Sequence, residues 1–173
     1  MRSDLLGRKE REGRWTMESA NKYRVLAWWS SGRTGMAKSD SAPNAIHFTA
    51  PPEFGGLEGR WTPEDLLLSA LASCYTTTFR VLADYSKLAY MDLEVEVEGM
   101  IRKAESGYCF SDIVIRPNLT ICGEEEQTRA FHLLQKAQAA CLVSRALSIE
   151  QIFEPHVQVS EPRVEFAQTL PVG

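Results

Sequence analysis

The spacing of apolar and polar positions changes several times along the chain, and each change predicts an element. The run Tyr-Arg-Val-Leu-Ala-Trp-Trp, residues 23–29, is β-prone and ends in a Gly-containing turn around Arg33. A second β-prone run covers residues 45–50, so the two predict an antiparallel ribbon. Residues 51–61 are rich in Pro and Gly and read as a loop, with Phe54, Leu57 and Trp61 as exposed or pocket-lining apolar groups. A helix then begins. Thr62 is a good N-cap, Pro63 suits the first helical position, and Asp65 completes a capping-box pattern with Asp in place of Glu. Leu67, Leu71, Cys74, Thr78 and Leu82 recur every three or four residues, which predicts a central helix running to about Leu88. Ala70 and Ala72 leave room for a second helix to approach it.

Beyond that helix Leu93, Val95, Val97 and Ile101 alternate with Glu94, Glu96 and Glu98, the pattern of a strand with one wet face. A further strand is predicted over residues 108–121, where Pro117 implies a sheet edge or a bulge. Glu124, Glu125 and Glu126 suit the positive end of a helix dipole, and Ala130, Leu133, Leu134, Ala137 and Cys141 supply the apolar stripe of a second helix. Short strands are expected at residues 157–159 and 164–166. With no internal repeat, the pattern predicts one α+β domain over residues 22–166, its two helices buried against a sheet. Residues 1–21 read as a poorly packed extension and residues 167–173 as a tail.

A chain of 173 residues with 44% hydrophobic and 24% charged residues is large enough for a proper core. The net charge of -4 argues against electrostatic nucleic-acid binding, which needs a concentrated basic surface. No stretch reads as a leader or as eighteen successive apolar residues, so no membrane association and a cytoplasmic address are expected. The four cysteines show no Cys-x-x-Cys spacing, and the three histidines form no i, i+4 pair. Neither a metal site nor a resident cofactor is predicted, and the cysteines are expected to be thiols in which any disulfide is transient.

Candidate chemistry begins with Cys74 and Cys141, each on the apolar stripe of one of the two helices. Arg33 lies in the Gly-flanked turn Ser-Gly-Arg-Thr-Gly, and Glu64 stands at the start of the first helix. Two helix-borne thiols with a cation and a carboxylate to tune one of them meet the needs of peroxide reduction, because the thiolate is the nucleophile. The alternative is a pair of small buried hydrophobes, and periodicity alone leaves both readings open. Cys109 and Cys122 lie in or beside a strand without a charged partner and are expected to be structural. The stretch Gly32 to Ser39 differs from a P-loop only at Ala37, but a β-prone run rather than a helix follows it, which excludes a phosphate cradle.

Four motifs occur in order: Gly-Arg33-x-Gly; a Gly-Gly followed by Thr-Pro-Glu64-Asp-Leu-Leu; Ser-Ala-Leu-Ala-Ser-Cys74; and Lys-Ala-x-x-x-Cys141-x-Val-Ser-x-Ala-Leu. Together they resemble the OsmC/Ohr family of peroxide-detoxifying proteins, over about residues 22–160. The resemblance implies the OsmC-like fold, with antiparallel sheets around two central helices in an intertwined homodimer and active sites at the dimer interface. It implies a cofactor-free reduction of organic hydroperoxides in which Cys74 is peroxidatic, Cys141 resolving, Arg33 the cation beside the thiolate and Glu64 the carboxylate holding that arginine. It also implies an external dithiol reductant, with lipoyl-type dithiols among the candidates. Leu67, Leu71, Tyr75, Phe54 and Trp61 would make an apolar surround for the peroxide, or are plain core or interface. The chain departs from the family pattern at Thr62, usually Asn; at Tyr75, usually Phe; and at Leu142, usually Pro. Without that proline the second helix is free to continue past Cys141. The rival from another class is a non-catalytic dimer that binds an apolar small molecule.

Overall fold

Gly32, at φ +53°, turns the chain between β1 (Val25–Ser31) and β2 (Thr34–Ser39), and the Trp29 indole donates to the Gly32 carbonyl at 2.9 Å. A third strand, β3 (Ile46–Phe48), completes an antiparallel sheet in the order β1-β2-β3. The ribbon expected from the sequence joined residues 23–29 to residues 45–50. The partner of β1 is instead β2, which pairs with β3 on its other edge. Gly35 permits that pairing: a Cβ there would lie 2.4 Å from the Phe48 ring. The Gly32 to Ser39 stretch is thus turn and strand. The computed structural model describes residues 21–105 and 107–160, and the chain divides into two compact units between Phe48 and Thr49. Of the extension expected over residues 1–21, residues 1–20 lie outside the described residues, as do the short strand expected at residues 164–166 and the tail over residues 167–173.

The second unit is built on α1 (Pro63–Ser86). Its start is the expected capping box: the Asp65 amide donates to the Thr62 hydroxyl at 3.1 Å, and the Thr62 amide donates to the Asp65 carboxylate at 2.9 Å. It ends at Lys87, in the left-handed region at φ 54°. The buried face differs from the predicted stripe. Leu71, Tyr75, Phe79 and Ala83 are fully buried, while Leu67, Cys74, Thr78 and Leu82 flank them half-buried. Burial of a tyrosine is made tolerable by its hydroxyl, which donates to the Leu134 carbonyl at 3.1 Å. This helix has the length and mean composition of a membrane-crossing one, with a mean hydropathy of 1.4 over its best window, of which 22% is buried, although Ser69, Ser73, Thr76, Thr77, Thr78 and Arg80 interrupt its apolar run.

β4 (Tyr90–Ala104) and β5 (Gly107–Ile121) form a long antiparallel hairpin, and Ile113, Ile115, Leu119 and Ile121 point from β5 into the core. Glu94, Glu96 and Glu98 form the wet face foreseen from the alternation, with Arg116 reaching Glu98 at 2.7 Å and Glu154 at 2.8 Å. Pro117 is neither at an edge nor in a bulge. β5 is central, because β6 (Glu150–Phe153) and β7 (His156–Val159) both join its far edge in parallel, making the sheet mixed. The β6 register ends at Ile115 and the β7 register begins at Asn118. Pro117 therefore sits where no strand faces it on that side, and its missing N–H deprives no ladder. α2 (Gln127–Ala140) buries Ala130, Leu133, Leu134 and Ala137 as predicted, and a five-residue helix, α3 (Leu142–Ala146), follows it.

Candidate active site

Cys141 is not inside a helix. Its backbone is extended (φ -60°, ψ 118°), so it ends α2 and stands at the N-cap position of α3. The expectation that the chain could stay helical without proline at residue 142 is corrected here: the break is present with leucine. Two consequences follow for the sulfurs. Cys141 is fully buried, whereas Cys74, on the half-buried flank of α1, is partly accessible. The break also turns the start of α3 toward α1, so that the Cys74 sulfur meets the Cys141 thiol and the backbone N–H groups of Val143 and Leu142.

These contacts divide the two thiols. Burial pushes the Cys74 thiol up, but the hydrogen bonds from the Val143 amide, the Cys141 thiol and the Leu142 amide outweigh it and hold Cys74 below the ordinary thiol range. The Thr78 hydroxyl adds least, its proton being already given to the Cys74 carbonyl at 2.7 Å. Cys141 moves the other way: burial pushes it up, and the proton it lends to Cys74, with the charge on that sulfur, adds to the rise. Tyr75 is pushed above its usual range by burial and by Cys141. The pair is thus arranged with the more acidic thiol where a small electrophile can reach it and the less acidic thiol beside it.

Glu64 occupies a different place. It lies ten residues before Cys74 on α1, about 15 Å along the helix axis at 1.5 Å per residue. Its Oε2 atom is buried without a hydrogen-bond partner among the described residues. It borders a recess of about 420 Å³, whose walls include Pro51, Leu57, Leu68, Ile101 and Phe110. Trp61 and Phe54 are exposed, and Phe54 packs edge-on against Tyr108 at 5.0 Å. Arg33 belongs to the first unit, in the β1–β2 turn. The structure therefore brings Cys74 and Cys141 together and separates Glu64 from them along α1.

Cys109 and Cys122, expected to be structural, are both exposed. Among the described residues no group of three or more His, Cys, Asp or Glu side chains could hold a metal ion. Periodicity missed three polar residues behind Cys141: Gln138, Ser144 and Gln151. They come from α2, α3 and β6 and meet through hydrogen bonds around a helix break, which no repeat in the sequence announces.

Comparison with known proteins agrees with this architecture. The family model of the OsmC-like protein family matches residues 56–154. An uncharacterized Bacillus subtilis protein, YmaD, is 26% identical over 128 residues, covering 72% of this chain and 85% of its own. Among solved structures, an OsmC-like protein of unknown function from Vibrio cholerae superposes with a TM-score of 0.71 at 17% identity, covering 79% of this chain and 99% of its own. An organic hydroperoxide resistance protein OsmC from Legionella pneumophila gives 0.66 at 22% identity, covering 82% and 100%. The organic hydroperoxide resistance protein OhrB of Bacillus subtilis gives 0.58 at 20% identity, covering 80% and 98%. With the matched region spanning both cysteines, Glu64 and the helix break between α2 and α3, this chain belongs to the OsmC-like family.

Proposed function

We propose that the protein is a cysteine-based peroxidase that reduces organic hydroperoxides to alcohols. The observation that carries this reading is the contact between the Cys74 and Cys141 sulfurs, with their acidities driven apart. The Cys74 thiolate attacks the distal oxygen of ROOH, the O–O bond breaks, and RO⁻ takes a proton to leave as ROH. Cys74 becomes a sulfenic acid, oxidised by the two electrons that reduced the peroxide. Cys141 then attacks that sulfur, an S–S bond forms and water leaves. An external dithiol restores both thiols and is itself oxidised to a disulfide. Partial accessibility makes Cys74 the attacking residue, and the burial of Cys141 reserves it for resolution.

Arg33 and Glu64 complete the proposal. A guanidinium held by the Glu64 carboxylate would stabilise the charge that develops on the departing oxygen. Glu64 and Cys74 of one chain are too far apart along α1 for one arginine to serve both closely. Two copies of α1 (Pro63–Ser86) crossing antiparallel near residue 69, in its first third, would set the Glu64 of each copy at the level of the other's Cys74. Ala70 and Ser73 are exposed close to that level and small enough for close approach, and further along the helix Val81 and Tyr85 stand 52% and 85% exposed. A homodimer with two composite sites is therefore part of the proposal, as is a reducing, cytoplasmic setting that returns the disulfide to thiols.

The test is thiol counting after one equivalent of cumene hydroperoxide, with peptide mapping. Rapid loss of two thiols per chain, mapped to Cys74 and Cys141, is the expected result. No loss, with Cys74 alkylated only after denaturation, would overturn it in favour of a non-catalytic dimer binding an apolar molecule. Sedimentation equilibrium at micromolar protein tests the dimer separately.

A further inference from the structure

The break that brings Cys141 to Cys74 has no proline to enforce it, so something else must hold it. Leucine at residue 142 is compatible with helix continuation, and the chain leaves the helix for one residue only. Directly behind the break lies a partly buried polar cluster. Ser144, 6% exposed on α3, donates its hydroxyl to the Gln151 side-chain oxygen, while the Gln151 amide nitrogen donates back to the Ser144 carbonyl at 2.9 Å. Both ends of one side-chain amide therefore close on one residue. Gln138, in the last turn of α2, donates to the Ser144 hydroxyl at 3.3 Å and to the Gln151 oxygen at 3.4 Å. Gln151 itself sits in β6, in register with Ile113 of the central strand. One glutamine thus ties the helix on each side of Cys141 to the rigid middle of the sheet.

We propose that Gln151, acting through Ser144 and Gln138, is a positioning residue that holds the Cys141 thiol and the Leu142 and Val143 amides against the Cys74 sulfur. The inference rests on the peroxidase reading for its purpose, but its geometry is independent of any peroxide. A hydrogen-bonded network closed on a buried serine favours one arrangement of the elements it joins, because a slip leaves polar atoms unpaired in a poorly solvated place. Without the clamp α3 is free to rotate or to merge with α2, and donors to the Cys74 sulfur are lost. The acidity of Cys74 would then move back toward the ordinary thiol range, since the hydrogen bonds that offset its burial come from this segment. Cys141 is the titratable group bonded to Cys74, and Tyr75 faces Cys141 from α1, so these two are the groups whose own titration the test must track.

The test uses the full-length chain with Cys109 and Cys122 replaced by serine, which removes the two exposed thiols. In that background Gln151→Met keeps volume and removes both hydrogen-bonding ends. The readouts are the pH profile of Cys74 alkylation by iodoacetamide and the rate at which the Cys74–Cys141 disulfide closes after one equivalent of cumene hydroperoxide. The expected result is a profile displaced to higher pH, alkylation about tenfold slower at neutral pH, the size of effect that losing hydrogen bonds to a charged sulfur produces, and slower closure. Far-UV circular dichroism should be unchanged. An unchanged alkylation profile and closure rate in folded Gln151→Met protein would overturn the proposal. If that variant fails to fold, Ser144→Ala and Ser144→Thr decide: alanine should slow alkylation and threonine, which keeps the hydroxyl, should restore it, whereas equal behaviour of the two would overturn it. Alkylation requires no peroxide, so a protein inert to hydroperoxide whose Cys74 profile still moves in Gln151→Met would sink the peroxidase reading and leave the positioning role standing.

Discussion

The two ends of the same helical turn pattern on α1 are finished to different degrees. Around Cys74 one unit of the chain supplies a second thiol, two backbone amides, and a partly buried clamp behind them. Around Glu64 a buried carboxylate oxygen is left with no partner among the described residues, beside an open recess. A buried unpaired carboxylate oxygen is costly, which marks Glu64 as a place where a donor would be stabilising. The contrast teaches that the thiol pair is complete within the single chain, whereas Glu64, ten residues earlier on the same helix, is left open to a donor that the described residues of its unit do not supply.

The strongest way to break that contrast is to remove one thiol. Cys74→Ser should abolish multiple turnover, a loss of at least about a thousandfold as for other catalytic nucleophiles. Cys141→Ser should permit one oxidation per chain and then progress to sulfinic acid, read as mass increments on the Cys74 peptide. Sustained turnover in Cys74→Ser would remove the mechanism. Next in size is Glu64→Gln, expected to lower peroxide turnover by about ten- to a hundredfold through loss of charge-stabilising geometry. Diamide, which oxidises thiols without a peroxide oxygen to stabilise, should still close the Cys74–Cys141 disulfide at the parent rate. If Glu64→Gln slows diamide closure equally, the two regions are one unit and the contrast fails.

The pH dependence sharpens the comparison within the thiol pair. Cys74 is held below the ordinary thiol range, so its thiolate persists to lower pH than that of an ordinary thiol and alkylation falls as pH drops through that lowered value. Cys141 is pushed up, so it remains protonated at the pH where Cys74 reacts and gains nucleophilicity only above the ordinary range. Alkylation followed by mass spectrometry should therefore show Cys74 labelled first at every pH, with Cys141 labelled late or after denaturation. Labelling in the opposite order would mean that the donors of α3 do not act on Cys74.

How much of this was legible in the sequence depends on the kind of signal. The Thr62-Pro63 start, the alternation over residues 93–101 and the stripe of α2 are local patterns, and each produced the expected element. The face of α1 was placed about one position off, because Tyr75 and Phe79 count as polar-capable or aromatic in a stripe of leucines, yet their burial is settled by Leu134 and Tyr90 from distant segments. β2 escaped because Gly35, Met36, Ala37 and Lys38 have weak strand propensity and the strand exists through partners on both edges. β6 is four residues long, too short to show alternation. The clamp was invisible for a related reason: Gln138, Ser144 and Gln151 each look like an ordinary surface polar residue until the helix break turns them toward one another.

A smaller change separates what holds the thiol pair from what merely contacts it. Tyr75→Phe removes the hydroxyl that satisfies the buried Leu134 carbonyl, while the ring keeps its packing against Phe153 at 6.0 Å. The expected cost is about 1–2 kcal/mol of unfolding free energy in urea titration, with the alkylation profile of Cys74 little changed. A large shift of that profile with no loss of stability would place Tyr75 among the groups that tune the sulfur.

The smallest effect is expected from Leu142→Pro. Leu142 occupies the first position of α3 and is 71% exposed, a place where proline's fixed φ is compatible with a helix start and where bulk meets solvent. The substitution should therefore leave the fold intact. What it removes is one N–H that points at Cys74, while the Val143 amide and the Cys141 thiol remain. Alkylation of Cys74 at neutral pH should slow by about two- to threefold, less than in Gln151→Met, which disturbs all three donors together. The ranking matters more than either number: if Leu142→Pro proved the more damaging of the two in folded protein, a single amide rather than the clamped break would govern the thiolate.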